Sequence, residues 1–202
     1  FASDDSNRGI IKQVPGITES IVNSASESTC IQDRVDSLAL ESPRQIIFDS
    51  NGDYYVLDTY GYRIYKVNSA TSKRYELVGT GSSCYFIDGF ECGDNEWEGL
   101  IGFSDVTSIA LGANDYLYIA DVGNNRIRKI TLSSSGQWES VCDAAGDGLQ
   151  SETIIGMGES CSSSDCLTGQ IGSNASFNYL RSIETDSNGN LYILDNNNIY
   201  RA

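Results

Sequence analysis

The sequence predicts an all-β chain built from repeated four-stranded antiparallel sheets. Three observations carry that expectation: one segment of about 25 residues recurs three times, each copy alternates as strands do, and hairpin turn signals join the strands. The composition agrees, since 20 glycines, 2 prolines and 12 tyrosines among 202 residues suit tight turns between aromatic-rich strands.

The copies are residues 43–67 (PRQIIFDSNGDYYVLDTYGYRIYKV), 106–130 (VTSIALGANDYLYIADVGNNRIRKI) and 180–202 (LRSIETDSNGNLYILDNNNIYRA). Asp121 follows Asp58 by 63 residues, and Arg126 follows Arg63 by the same interval. Asp195 follows Asp121 by 74 residues, as Ile183 follows Ile109. The third copy is shortened beyond Asp195, so Ile199 takes the place of Ile127 and no arginine matches Arg126.

Each copy opens with a short alternating strand: Ile46 and Phe48, Ile109 and Leu111, Ile183 and Thr185. Asn51-Gly52 and Asn188-Gly189 then give the strongest short hairpin signal, because both residue types tolerate positive φ, and Asn114-Asp115 is a weaker version. A strand at 54–57, 117–120 or 191–194 follows, apolar enough to be buried on both faces. An Asp-led turn leads to a third strand through Ile64, Ile127 or Ile199. Fourth strands are expected at 74–78 and 137–141, each after a polar turn. Three strands and an outer fourth make one blade of a β-propeller.

The expected division is a single propeller segment over 1–202: an N-terminal strand and connector at 1–42, blades at 43–105 and 106–179, and a partial blade at 180–202. Cysteine-bearing insertions between blades explain a repeat longer than the roughly 40–45 residues that a compact blade needs.

The pattern P-x-x-I-x-x-D-x-x-G-x-x-Y-x-x-D-x-x-N-x-R-I-x-K resembles the NHL repeat, and residues 106–130 are its best copy. The Asp88-Gly89 and Asp147-Gly148 pairs and the run 175–177 look like the repeat's connectors. The resemblance implies a propeller, typically of six blades, that binds proteins, RNA or other ligands, with a minority of related propellers acting as enzymes. The long insertions, the missing proline at Val106 and Leu180 and the shortened third copy depart from the pattern.

Three blades should not close, since propellers use roughly four to eight. Ile10, Ile11 and Val14, followed by Pro15-Gly16, read as a lone outer strand, while the last blade, with Ile199 and Tyr200, lacks one. Three explanations stay open: a piece of a longer propeller, copies that complete each other's blades into a ring or filament, or local cover by the segment before Pro43. The chain opens on Phe1 without an initiator methionine or signal peptide, which points to a removed leader or an excised piece.

A net charge of −15 disfavours nucleic acid and anionic membrane surfaces, and the dispersed acid reads first as a solubilising surface. No apolar stretch is long enough to cross a bilayer. Six cysteines without any histidine favour disulfides over zinc and place the chain in an oxidising, extracellular or cell-surface setting. Proximity suggests Cys84 with Cys92 and Cys161 with Cys166, leaving Cys30 with Cys142. Asn174 heads the only N-x-S/T sequon and is the candidate glycan site.

Asp58, Asp121 and Asp195 end the buried strand of each copy. They could ring a channel and hold a metal, or they could make Asx-type turns, with Asp58 and Asp121 paired to Arg63 and Arg126; recurrence in every copy favours the structural role. Residues 49–53 and 186–190 superficially resemble calcium loops but sit between strands and lack the glutamate of an EF-hand, so only weak surface calcium binding stays open. Tyr85, Phe86, Phe90 and Trp97 form an aromatic cluster in the first insertion, either a contact surface or a small local core.

The absence of histidine excludes Ser-His-Asp and Cys-His catalysis and a histidine-ligated zinc. The expectation is a non-enzymatic extracellular module that needs no cofactor and contacts protein partners, copies of itself included. The alternative is a calcium-dependent, lactonase-like propeller hydrolase.

Overall fold

The computed structural model describes residues 2–4, 9–14, 17–22, 40–70, 74–85, 101–113, 116–131, 150–156, 158, 172 and 175–202, with the backbone alone for those within 2–22 and for 74, 75 and 150. Among the described residues, fourteen strands are arranged in four antiparallel sheets. The first holds β1 (Ala2–Asp4), β2 (Gly9–Val14) and β3 (Ile17–Val22). The second holds β4 (Pro43–Phe48), β5 (Tyr54–Asp58), β6 (Arg63–Val67) and β7 (Arg74–Val78). The third holds β8 (Val106–Leu111), β9 (Tyr116–Asp121), β10 (Arg126–Thr131) and β11 (Gln150–Ile155). The fourth holds β12 (Leu180–Thr185), β13 (Leu191–Asp195) and β14 (Asn198–Arg201).

In every sheet the strands lie in chain order, and the leading strands β1, β4, β8 and β12 sit beside one another in series. That is the succession of blades in a β-propeller, and the chain is a propeller segment. The three repeats each form one blade, and the shortened third has three strands, as the sequence indicates.

The N-terminal region differs from the expectation. Ile10, Ile11 and Val14 do not form a lone outer strand: β2 is central, with Ile11 opposite Ala2 on one side and Ser20 on the other. Both of its edges are occupied by local hairpin partners, so it has no edge to lend to another copy's last blade. A short antiparallel meander forms more readily than a distant pairing because its loops close at little entropic cost.

The fourth strand of the second repeat also differs. β11 at Gln150–Ile155 pairs with β10, while the expected strand at 137–141 lies outside the described residues. The turn chemistry differs too. Asn51 and Asn188 do not take positive φ; only Gly52 (φ +85°) and Gly189 (φ +82°) do. Each loop is a turn from Asp49 to Gly52, or Asp186 to Gly189, with the glycine as bulge. The Oδ1 of Asp49 accepts from the backbone N–H of Asn51 and Asp53, and Asp186 repeats the arrangement with Asn188 and Asn190.

Packing lies between blades. Tyr55, Leu57, Ile64, Leu77 and Val78 of the second sheet meet Ile109, Leu117 and Ile119 of the third. Ala120, Ile127 and Ile155 of the third meet Ile183, Leu191 and Ile193 of the fourth. An apolar side chain in each lead-in loop, Phe103 or Phe177, plugs the gap, and Leu40 occupies the matching position before β4. All of β5 is buried on both faces, as its continuous apolarity predicts, whereas burial in β13 alternates, with Leu191 and Ile193 packed toward the third sheet.

Candidate functional site

The three repeat carboxylates share one geometry. Asp58 accepts from the backbone N–H of Glu41 (2.9 Å) and Ser42 (2.6 Å). Asp195 accepts from Asn178 (3.1 Å) and Tyr179 (2.6 Å), and Asp121 from Ser104 (2.8 Å). Each acid at the end of a middle strand therefore grips the loop that leads into its own blade's first strand. A backbone bond reinforces each grip: Thr59 N–H to Ser42, Gly123 N–H to Ser104 and Asn196 N–H to Tyr179. The clamp reaches 16 or 17 residues back along the chain, and at Asp58 a local bond from the Gly61 N–H, of the Asx-turn kind expected, stands beside it.

The arginines divide. Arg126 pairs with Asp121 as expected, its Nε donating at 3.1 Å. Arg63 pairs instead with Glu76 of β7 at 2.9 Å, so the expected partnership with Asp58 is replaced. The difference follows from the neighbouring strand, because β7 offers a carboxylate where β11 offers the hydroxyl of Thr153 to Arg126.

Asp121 is the most enclosed of the three. Arg128 stands 3.8 Å away, and Asn124 Nδ2 donates to both carboxylate oxygens and to Cys84 O. Arg128 also donates to Gly102 O (2.7 Å) and Ser151 Oγ (2.9 Å), and it stacks over Phe103. Burial pushes the Asp121 carboxyl above its ordinary range, against the pull of Arg128 and Arg126. Burial likewise raises Asp58, opposed by its backbone N–H donors.

A second recurring device spans adjacent blades. Gln45 Nε2 donates to Ile109 O (3.0 Å) while its Oε1 accepts from Ile109 N–H (2.7 Å). One blade on, Ser108 Oγ donates to Ile183 O (3.0 Å) and accepts from Ile183 N–H (3.3 Å). Thr59 Oγ1 to Val106 O, Thr107 Oγ1 to Arg181 O and Thr185 Oγ1 to Leu111 O add further ties. Sequence reading missed these residues, although Gln45, Ser108 and Ser182 share one register: each directly precedes the first-strand isoleucine.

The remaining candidates are quickly placed. Cys84 is disulfide-bonded, and its neighbour Tyr85 is exposed. Cys30, Cys92, Cys142, Cys161, Cys166, Asn174, Phe86, Phe90 and Trp97 lie outside the described residues. Ile199 and Tyr200 are on β14, the edge of the last sheet among the described residues. In the calcium-like loop 49–53, Asp49 and Asp53 hold Lys66 at 3.6 and 3.7 Å, and their other oxygens accept backbone N–H groups. Among the described residues, no group of three or more acids or cysteines converges as a metal-ligand set. The geometry performs mechanical work: it fixes lead-in loops to blades and blades to one another.

The family model for the teneurin NHL domain matches residues 6–131. The chain belongs to that family. The teneurin-type NHL assignment thus rests on the stretch that holds two complete repeat cores and the β2–β3 hairpin. Suppressor of quenching 1, chloroplastic, from Arabidopsis thaliana is 30% identical over 94 residues, covering 46% of this chain and 8% of that protein. Among solved structures, a Bacteroides thetaiotaomicron protein of unknown function is similar at TM-score 0.55 and 15% identity, over 94% of this chain and 40% of that one. An auxiliary nutrient binding protein from the same organism gives 0.53 and 14%, over 90% and 38%. A provisionally assigned gluconolactonase gives 0.51 and 13%, over 96% and 52%. At these identities the likeness is one of fold, and the NHL chain spans about half or less of each structure and under a tenth of the plant protein.

Proposed function

We propose that this chain is a non-enzymatic, extracellular propeller module whose work is to present rigid blades and connecting loops to protein partners. One observation carries the reading. The acids that recur in every blade, the natural candidates for an axial metal or an acid–base pair, spend their oxygens on lead-in backbone N–H groups and, at Asp121, on arginines. Groups committed in this way hold the fold together and are poorly placed to exchange ligands or protons with a substrate.

The surface supports a contact role. Tyr60, Tyr85 and Tyr179 are exposed, and all three sit in loops at the end of the blades where the first strands begin. Tyrosine offers a large amphipathic contact area at low entropic cost, as interfaces favour. A disulfide at Cys84 supports an oxidising compartment.

The competing reading is a calcium-dependent lactonase-like enzyme. Calorimetric titration with calcium, run beside hydrolysis assays on a panel of lactones, separates the two. The module reading expects neither saturable calcium binding nor turnover; both together would replace it with the enzyme.

A further inference from the structure

Asn51-Gly52 and Asn188-Gly189 are the two Asn-Gly pairs of the chain. Both occupy the hairpin between the first and second strands of a blade, at the end opposite the carboxylate clamps. Both asparagines are exposed, and among the described residues neither side-chain amide takes part in a hydrogen bond. Asn68, Asn124 and Asn190, in contrast, each donate a side-chain amide to an aspartate. An unheld asparagine followed by glycine is open to attack by its own backbone, because no side chain shields the glycine nitrogen. The second blade has Asn114-Asp115 at the matching place, where a side chain on the following residue hinders the same attack.

The turn restrains that attack. The Gly52 N–H donates to Asp49 O at 3.1 Å, and the Gly189 N–H to Asp186 O at 3.0 Å. Asp49 Oδ1 further holds the N–H groups of Asn51 and Asp53, and Asp186 Oδ1 those of Asn188 and Asn190. A glycine nitrogen whose proton is donated, in a backbone pinned on both sides, has to leave this arrangement before it can reach the amide carbon. One aspartate closes each turn.

We propose that Asn51 and Asn188 are sites of spontaneous deamidation, and that Asp49 and Asp186 set its rate by holding the turns closed. When a turn opens, the Gly52 or Gly189 nitrogen gives its proton to solvent base and bonds to the asparagine Cγ. The Cγ–Nδ2 bond breaks, and the nitrogen leaves as ammonia with a proton from water. The product is a five-membered succinimide. Water then adds to one of the two ring carbonyls. Opening at one C–N bond gives aspartate; opening at the other gives isoaspartate, with one extra carbon in the main chain. Water is the co-reactant, and nothing is oxidised or reduced. At Asn51 the new carboxylate arises in a loop where Asp49 and Asp53 already share Lys66. The modification stands independently of the module role proposed above.

The test incubates the full chain in mildly alkaline buffer and follows each Asn-Gly pair by peptide mapping, with a protein isoaspartyl methyltransferase as the probe for isoaspartate. Both pairs should form it, and both more slowly in the folded chain than in guanidinium chloride. Asp49→Ala should speed conversion at Asn51 about fivefold or more, while Asn188 in the same molecule keeps its rate. Asp186→Ala should do the reverse. Asp49→Asn, which keeps the acceptor oxygen, should convert Asn51 near the wild-type rate. A folded chain that forms no isoaspartate at either pair would overturn the assignment. Matching folded and unfolded rates, or an Asp49→Ala chain in which Asn51 gains nothing over Asn188, would overturn the gate.

Discussion

Gln45 and Ile109, 64 residues apart, form a reciprocal pair: the Gln45 amide donates to the Ile109 carbonyl and accepts from the Ile109 N–H. The side chain of one blade thus completes the backbone of the next, and the blades are joined by directed bonds as well as by apolar contact.

Gln45→Ala should leave both Ile109 groups without that partner at a closed interface. The expected loss is about 1–3 kcal/mol, read from denaturant unfolding as a lower midpoint at unchanged m-value.

The three carboxylates should rank by enclosure. Asp121→Ala removes a buried carboxylate that Arg126 and Arg128 both face and should cost about 3–5 kcal/mol. Asp58→Ala removes two backbone grips without stranding a charge and should cost about 1–3 kcal/mol. Equal losses at the two sites, measured in the same chemical denaturation series, would contradict the ranking.

Gly79 and Gly156 close the fourth strands with φ of +123° and +106°. A methyl group at either would meet backbone, 2.1 Å from Tyr62 O at Gly79 and 2.4 Å from Asn125 O at Gly156. Alanine at each position should destabilise by more than about 1 kcal/mol, checked by calorimetry.

Tyr54 has its phenol pushed up to about 12 by burial. A native value above the unfolded one means that the phenol's contribution is intact below its ordinary value of 10.0 and is lost as pH rises through about 12. Wild type should therefore lose stability relative to Tyr54→Phe between those pH values, with the two curves parallel below; denaturation at a series of alkaline pH values tests it.

Much of the fold was legible because blade-forming residues repeat in register. The positions of β4 to β6, β8 to β10 and β12 to β14 follow from Asp58, Asp121 and Asp195 and the isoleucines around them. The fourth strand of the second blade was misplaced because residues 137–141 have strand composition, and polar turns precede them. The better signal was the Ile155-Gly156 pair, which matches Val78-Gly79, where the glycine lets the chain turn against Arg126 or Arg63. The carboxylate clamps were only half legible: recurrence marked the acids as structural, but their donors lie 16 or 17 residues upstream in loops with no motif. The polar rungs at Gln45 and Ser108 were missed because glutamine and serine look unrelated until both are seen to reach the same backbone groups.

The most direct test of the serial-blade arrangement is a nuclear Overhauser spectrum of the labelled chain, read at Ile109 and Ile183. The arrangement predicts cross-peaks from the Ile109 amide to the Gln45 side chain and from the Ile183 amide to the Ser108 side chain. Cross-peaks confined within each sheet, with neither of these present, would contradict it.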